Sequence, residues 1–162
     1  IMVMAKGIAN GWPVGATITT EEVAHGWKGK TISTFGGNPI SMAAMCATQD
    51  ELRDHDAPHN ATARGAQLRA ALLDMQKRHP WMGDVRGMGL MQAIEIVKDP
   101  ATKEPDKERT SRLMEASREE GVLIGLGGLH GTVIRIGPSL LITEDEMAEG
   151  IAKLERAVDR VG

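Results

Sequence analysis

The sequence predicts an α/β segment followed by a small α+β domain in which helices cover one face of a three-stranded sheet. Two observations predict this fold class. The chain opens on an unbroken apolar run from Ile1 to Ala5, which is typical of a strand buried in a parallel sheet. Its second half alternates amphipathic helices with short apolar strands. We therefore expect a division into residues 1–55 and residues 56–162.

The first part is predicted to hold two short strands and one long helix. The opening strand ends at Lys6, and a second strand is expected near Gly15–Thr19. Asn38 and Pro39 indicate a helix start, because asparagine caps free backbone N–H groups and proline suits the first helical position. This helix should run from residue 39 to about residue 54, with its apolar side chains largely buried.

The second part is predicted to hold three helices and three strands. Leu68, Leu72 and Met75 recur at helical spacing, and Thr143 with Glu146 forms a capping-box pattern at the start of the last helix. The glycine-rich residues 83–89 are expected only to lead into a strand. The helices are expected at 60–79, 107–120 and from 143 onward, and the strands at 90–97, 122–125 and 132–136.

Composition argues against several partners and locations. The net charge of −3 and the small number of aromatic residues, one phenylalanine and three tryptophans, give no basis for binding nucleic acid or an anionic membrane. No apolar run is long enough to span a bilayer. Cys46 is the only cysteine, which fits a reducing, cytoplasmic location. Because Ile1 already lies in a buried type of strand, we expect this chain to be the C-terminal piece of a longer protein.

Lys6 is the first candidate for chemistry. It ends an apolar run, and lysine is rarely buried without a reason. Burial would disfavour the ammonium form and leave a nucleophilic amine of the kind that forms Schiff bases. The alternative is a strand-end lysine whose stem is buried while its ammonium group reaches water.

The segment from Ser33 to Pro39 is the second candidate. It combines hydroxyl groups, two glycines and a helix start, which together can donate hydrogen bonds to a phosphate ester. A turn followed by an ordinary helix cap would use the same residues.

Arg135 is the third candidate, because it interrupts an apolar strand. Its guanidinium either pairs with a protein carboxylate, lies at a sheet edge, or awaits an external carboxylate. Arg86 lies among glycines, and we favour a structural role for it.

Two other patterns do not support a site. Residues 125–131 are rich in glycine but lead into a strand, whereas a dinucleotide loop leads into a helix. Pro58 breaks the helix between His55 and His59, so we predict no metal site there.

Four segments resemble the class III aminotransferases, which are pyridoxal-phosphate enzymes of fold type I. MAKGIANGWPVGA at residues 4–16 resembles their cofactor-lysine segment, and TFGGNP at 34–39 their phosphate-contacting segment. GDVRGMGLM at 83–91 and IRIGPSL at 134–140 resemble two strand segments of their C-terminal domain. The resemblance implies that residues 1–55 are the tail of the large cofactor-binding domain plus the interdomain helix. Residues 56–162 would be the small C-terminal domain.

The resemblance also implies roles for three residues. Lys6 would form the Schiff base with pyridoxal 5'-phosphate and then act as general acid and base. Thr34 would bind the cofactor phosphate of the other subunit, which implies a homodimer. Arg135 would bind the substrate carboxylate. The implied reaction transfers an amino group from an omega- or alpha-amino acid to a 2-oxo acid.

The family's upstream half has no counterpart in this sequence. That half supplies the acidic partner of the pyridine nitrogen, an aromatic residue that stacks on the ring, and a further phosphate-binding turn. One alternative is therefore a catalytically incomplete fragment with a structural or self-associating role. A same-family aminomutase or decarboxylase is a second alternative, and a phosphate- or nucleotide-binding module is a third.

Overall fold

The chain forms two units, Ile1–Asp56 and Ala57–Gly162, in a computed structural model that describes residues 1–162. We call them the N-terminal unit and the C-terminal unit and describe each by itself. No helix in either unit is both long enough and apolar enough to cross a membrane.

The N-terminal unit begins with a two-stranded antiparallel ribbon. Met2 lies opposite Ile18 and Ala5 lies opposite Gly15. The elements are β1 (Met2–Ala5), a 3-10 helix (Lys6–Ala9), β2 (Gly15–Ile18), α1 (Glu21–His25) and α2 (Pro39–Asp54).

The prediction of a buried parallel strand at the start of the chain is wrong for this structure. Within these residues β1 pairs only with β2, and the pairing is antiparallel. Both faces of the ribbon are therefore open, and Met2 and Val3 are 60% and 75% exposed. An apolar run is typical of a buried strand, but the strand is buried only where other elements cover its faces.

Helix α2 has the predicted bounds because its start is encoded locally. The Asn38 side chain accepts a hydrogen bond from the Ser41 backbone N–H at 3.0 Å, and Pro39 occupies the first helical position. The predicted burial of its apolar side chains is wrong, since Ser41 is its only buried residue and Ile40 is 63% exposed. The helix packs against the 3-10 helix, where Gln49 donates to the Ile8 carbonyl at 3.4 Å.

The C-terminal unit is a four-stranded antiparallel sheet with three helices on one face. The strands follow the spatial order β3-β4-β6-β5. Its elements are α3 (Ala57–Arg78), β3 (Met82–Met88), β4 (Met91–Ile96), α4 (Lys107–Glu119), β5 (Gly125–Gly127), β6 (Val133–Ile136) and α5 (Glu144–Val161). The predicted α+β class is confirmed, but the sheet has four strands instead of three.

The additional strand is β3, which its glycines disguised in the sequence. A Cβ atom at Gly83 would lie 2.5 Å from Val97 Cγ2, and one at Gly87 would lie 2.1 Å from the Met91 carbonyl oxygen. Glycine is therefore required by the close approach of the next segment, although it normally weakens a strand. The strand predicted at 122–125 begins instead at Gly125, because pairing with β6 occurs over Gly125–Gly127.

The core lies between the sheet and the helices. Leu72 of α3, Ile94 of β4, Leu113 of α4, Ile134 of β6 and Val158 of α5 are all 0% exposed. Each helix thus contributes an apolar stripe and each central strand contributes alternate residues. The opposite face of the sheet carries no helix.

Truncation of Leu72 tests this core. We expect Leu72→Ala to lower the free energy of unfolding by about 2–5 kcal/mol, because it leaves a cavity among fully buried side chains. Leu73 is the matched control: it is 37% exposed, and Leu73→Ala should cost about 1 kcal/mol or less. Urea unfolding followed by circular dichroism measures both, and equal losses would contradict the assignment of the core face.

The cap of α5 predicts a pH dependence. The Thr143 backbone N–H and hydroxyl both donate to the Glu146 carboxylate at 2.8 Å, and this lowers the pKa of Glu146 below its usual value. Its contribution to stability is therefore present above the unfolded-state pKa and is lost as the pH falls through the lowered folded-state pKa. Glu146→Gln retains an acceptor for the cap. We expect this variant to lose less stability than the wild type between neutral and acidic pH, measured by urea unfolding across that range.

Candidate functional site

Lys6 lies at the junction of β1 and the 3-10 helix. Its φ of 59° falls in the left-handed region, which residues other than glycine seldom adopt. Its side chain is exposed and makes no ion pair or hydrogen bond in the chain. The predicted burial of Lys6 is wrong here, because the two-stranded ribbon leaves the Lys6 side chain exposed. The placement is closer to the alternative in which the ammonium group reaches water.

Thr34 lies in the loop that precedes α2. Its side chain is exposed and makes no hydrogen bond within the chain. The loop ends in a tight turn, where Asn38 Nδ2 donates to the Phe35 carbonyl at 3.0 Å and Gly37 has a φ of 72°. Asn38 thus fixes both the turn and the helix start, as the ordinary-cap alternative requires. No hydrogen bond joins Lys6 to Thr34.

Arg135 lies on an interior strand of the sheet, with its side chain on the face that has no helix. It is opposite Ala93 of β4 on one side and Gly125 of β5 on the other. Its neighbour Ile134 points into the core, and the strand alternation sends Arg135 the other way. Because β6 is interior and Arg135 makes no ion pair, neither the edge-strand nor the structural-pair explanation describes it.

Two glycines of β5 make room for the stem of Arg135. A Cβ atom at Gly127 would lie 2.9 Å from Arg135 Cδ, and one at Gly125 would lie 3.7 Å from Arg135 Cβ. The absence of side chains on this part of the strand therefore lets the Arg135 stem lie across it. These two positions were not predicted from the sequence; their signal is a spacing of two residues in a strand paired with β6.

Arg86 lies on the same open face but is paired with two carboxylates. Its Nη1 donates to Asp84 at 2.7 Å and to Glu95 at 2.6 Å. The hydrogen bonds that Arg86 donates to the Asp84 and Glu95 carboxylates raise the pKa of Arg86 above its already high value. The structure thus gives Arg86 the structural pairing favoured by the sequence.

The open face forms a depression of about 810 Å³ around the two arginines. Its rim includes Met91 and Leu123, which are 76% and 87% exposed. The volume lies within the range of small-molecule sites, which combine apolar walls with a few charged groups. One guanidinium without a partner gives this face the means to bind a carboxylate.

Comparison with known proteins identifies the family. The family model described as aminotransferase class-III matches residues 1–158. Alanine–glyoxylate aminotransferase 2 homolog 2 of Arabidopsis thaliana, named as mitochondrial, is 41% identical over 147 residues, covering 90% of this chain and 31% of the relative. Ethanolamine-phosphate phospho-lyase homolog 1 of Caenorhabditis elegans is 34% identical, covering 98% of this chain and 34% of the relative.

A solved structure gives the same answer. The pyridoxal-phosphate-bound amine transaminase from an uncultivated Pseudomonas species superposes with a TM-score of 0.88 at 34% identity, covering 99% of this chain and 38% of that chain. The chain therefore belongs to the class III aminotransferase family. It spans about a third of the length of the curated relatives that it matches.

Gly127→Ala tests the packing of the Arg135 side chain against β5. The added methyl group would come within 2.9 Å of Arg135 Cδ, so we expect the flexible arginine stem to move while the strand stays paired. The nuclear magnetic resonance signal of the Arg135 Nε–H group should shift in this variant. Gly137→Ala is the control, since a Cβ atom there has no neighbour within 4 Å. An unchanged Arg135 signal in Gly127→Ala would contradict the packing described here.

Proposed function

We propose that this chain is the C-terminal part of a pyridoxal-phosphate-dependent aminotransferase that moves an amino group from an amino acid to a 2-oxo acid. Family membership over residues 1–158 supports this reaction class. Residues 1–55 are then the tail of the cofactor-binding domain with the interdomain helix, and residues 56–162 are the small C-terminal domain.

The observation that carries the proposal is the backbone of Lys6. A lysine held at a φ of 59° costs free energy relative to an ordinary strand or helix residue, and such outliers concentrate at functional sites. The residue with this backbone is a lysine at the end of β1 whose amine is exposed and has no partner in the chain. An amine serves as a nucleophile or a base only when it is not tied up in an ion pair.

The side chains of Lys6 and Thr34 have the chemical groups that pyridoxal phosphate needs. Lys6 supplies the amine for the cofactor aldehyde, and the exposed Thr34 hydroxyl is a free donor for a phosphate oxygen. When bound, the cofactor supplies an electron sink for a carbanion at the substrate. We assign the Thr34 contact to the cofactor of the partner subunit, which makes the active protein a homodimer.

Lys6 and Arg135 then act on the substrate in different ways. The Lys6 amine, once free, removes a proton from the substrate carbon that bears the amino group and returns one in a later step, as a general base and then a general acid. The planar guanidinium of Arg135 binds the two carboxylate oxygens and orients the substrate. The donor is an omega- or alpha-amino acid.

A second candidate reaction has support from relatives that are named as lyases. The phospho-lyase of Caenorhabditis elegans is as similar over nearly the whole chain as many transaminases are, at 34% identity. In a lyase reaction at the same site, Lys6 would remove a proton and a leaving group would depart from the neighbouring carbon, so that no amino group is transferred to an oxo acid. Analysis of products with an amino acid and pyruvate distinguishes the two, since only transfer produces alanine.

A cytoplasmic location remains part of the proposal on the basis of the single cysteine. The Arabidopsis relative is named as mitochondrial. Fractionation of the source cells, with immunodetection of the protein, tests the location directly.

Borohydride trapping tests the role of Lys6. The purified chain is mixed with pyridoxal phosphate, reduced with borohydride and mapped by peptide mass spectrometry. We expect the cofactor on Lys6 in preference to other lysines, because Lys6 is the lysine of this unit that has the left-handed backbone. Lys6→Ala should lose the visible absorption band of the adduct.

Lys30→Ala is the matched control, since Lys30 is exposed in the same unit. It should leave the Lys6 adduct unchanged. Labelling spread evenly over all lysines, with no loss in Lys6→Ala, would contradict a formed cofactor site. That result would favour the alternative of a structural, self-associating fragment.

A further inference from the structure

The register of the sheet puts the two arginines of the open face in one lateral row. Arg86 of β3 lies opposite Ala93 of β4, which lies opposite Arg135 of β6. A small residue thus separates two long cations. At about 4.8 Å between neighbouring strands, the two arginine Cα atoms are roughly 10 Å apart.

The adjacent row places a carboxylate within reach of both arginines. Glu95 of β4 lies opposite Val133 of β6, so Glu95 is the diagonal neighbour of Arg135. Diagonal pairs on one face are about 7–8 Å apart at Cα, a distance that long side chains bridge. Glu95 is turned the other way, toward Arg86, at 2.6 Å.

We propose that Arg86 is a positioning residue that holds the Glu95 carboxylate away from Arg135 and so keeps Arg135 available to an external carboxylate. The inference rests on the proposed function, in which Arg135 binds the substrate. Arg86 itself touches no substrate. It acts by occupying the one carboxylate on the face that lies diagonal to Arg135.

The ion pairs on the open face support different roles for the two arginines. Arg86 holds two carboxylates, Asp84 and Glu95, through a single nitrogen. If Arg86 were absent, Glu95 would lose its only ion-pair partner and would face the unpaired guanidinium of Arg135. An intramolecular carboxylate held on the neighbouring strand has a high effective concentration and would compete with a dissolved one.

A double-mutant cycle tests the proposal in the full chain. The probe is acetate, with acetamide as the uncharged analogue, and binding is followed through the backbone amide signals of Gly125 and Arg135. We expect Arg86→Gln to weaken acetate binding by about fivefold, the scale of one exposed ion pair. Adding Glu95→Gln to that variant should restore binding to within about twofold of wild type, because the competitor is then uncharged.

Conservative variants separate this role from a general effect on folding. Arg86→Lys retains a cation for both carboxylates and should bind acetate like the wild type. Glu95→Gln alone should not weaken binding. Wild-type affinity in Arg86→Gln, or a loss that Glu95→Gln does not restore, would overturn the proposal.

Failure of the proposed function has a different signature. If Arg135→Gln binds acetate as well as the wild type, Arg135 is not the carboxylate site, whatever the cycle shows. If Arg135→Gln abolishes binding while the cycle is flat, Arg135 keeps its role and only the positioning role of Arg86 fails.

Discussion

The pairing of β4 with β6 determines what each face of the C-terminal unit can do. Because side chains alternate along a strand, the register that sets Ile94 opposite Ile134 also sets Ala93 opposite Arg135. One pair closes the core beneath the helices, and the other defines the open face. A slip of one residue would put the guanidinium in the core and an isoleucine in the depression. Core stability and the candidate binding face therefore depend on the same hydrogen bonds.

The N-terminal unit depends on local geometry more than on a core. Asn38 and Pro39 set the start of its long helix. Lys6 itself has a left-handed backbone, at the point where β1 ends and the 3-10 helix begins. Only Ala9 and Ser41 are buried in this unit. Many of its large apolar side chains are exposed, namely Ile1, Met2, Val3, Trp12, Ile18, Val23, Trp27, Ile32, Phe35 and Ile40.

Sequence reasoning succeeded where the determinant is local and failed where it is not. The start of α2 and the capping box at Thr143 follow from side chains that form hydrogen bonds within three residues. Strand β3 was missed because the close approach that requires Gly83 and Gly87 comes from the following segment of the chain. The lack of an ion-pair partner for Arg135 could not be predicted either, since Glu95 pairs with Arg86 across a register that the sequence does not state. The exposure of Lys6 could not be predicted because it depends on how many strands pair with β1, and the sequence does not state that number.

The lengths and register of β5 and β3 have a consequence at the two edges of the sheet. A free strand edge is a template for pairing with another chain. Here one edge, β5, is only three residues long, and the other, β3, has an irregular register between Met82 and Asp84. The Lys103 ammonium group also donates to the Gly83 carbonyl at 2.8 Å, which occupies an acceptor on β3. The short β5 edge offers little backbone to extend, and the irregular start of β3 with its Lys103 contact makes the other edge a poorer template, so both edges carry features that disfavour edge-to-edge, amyloid-like aggregation.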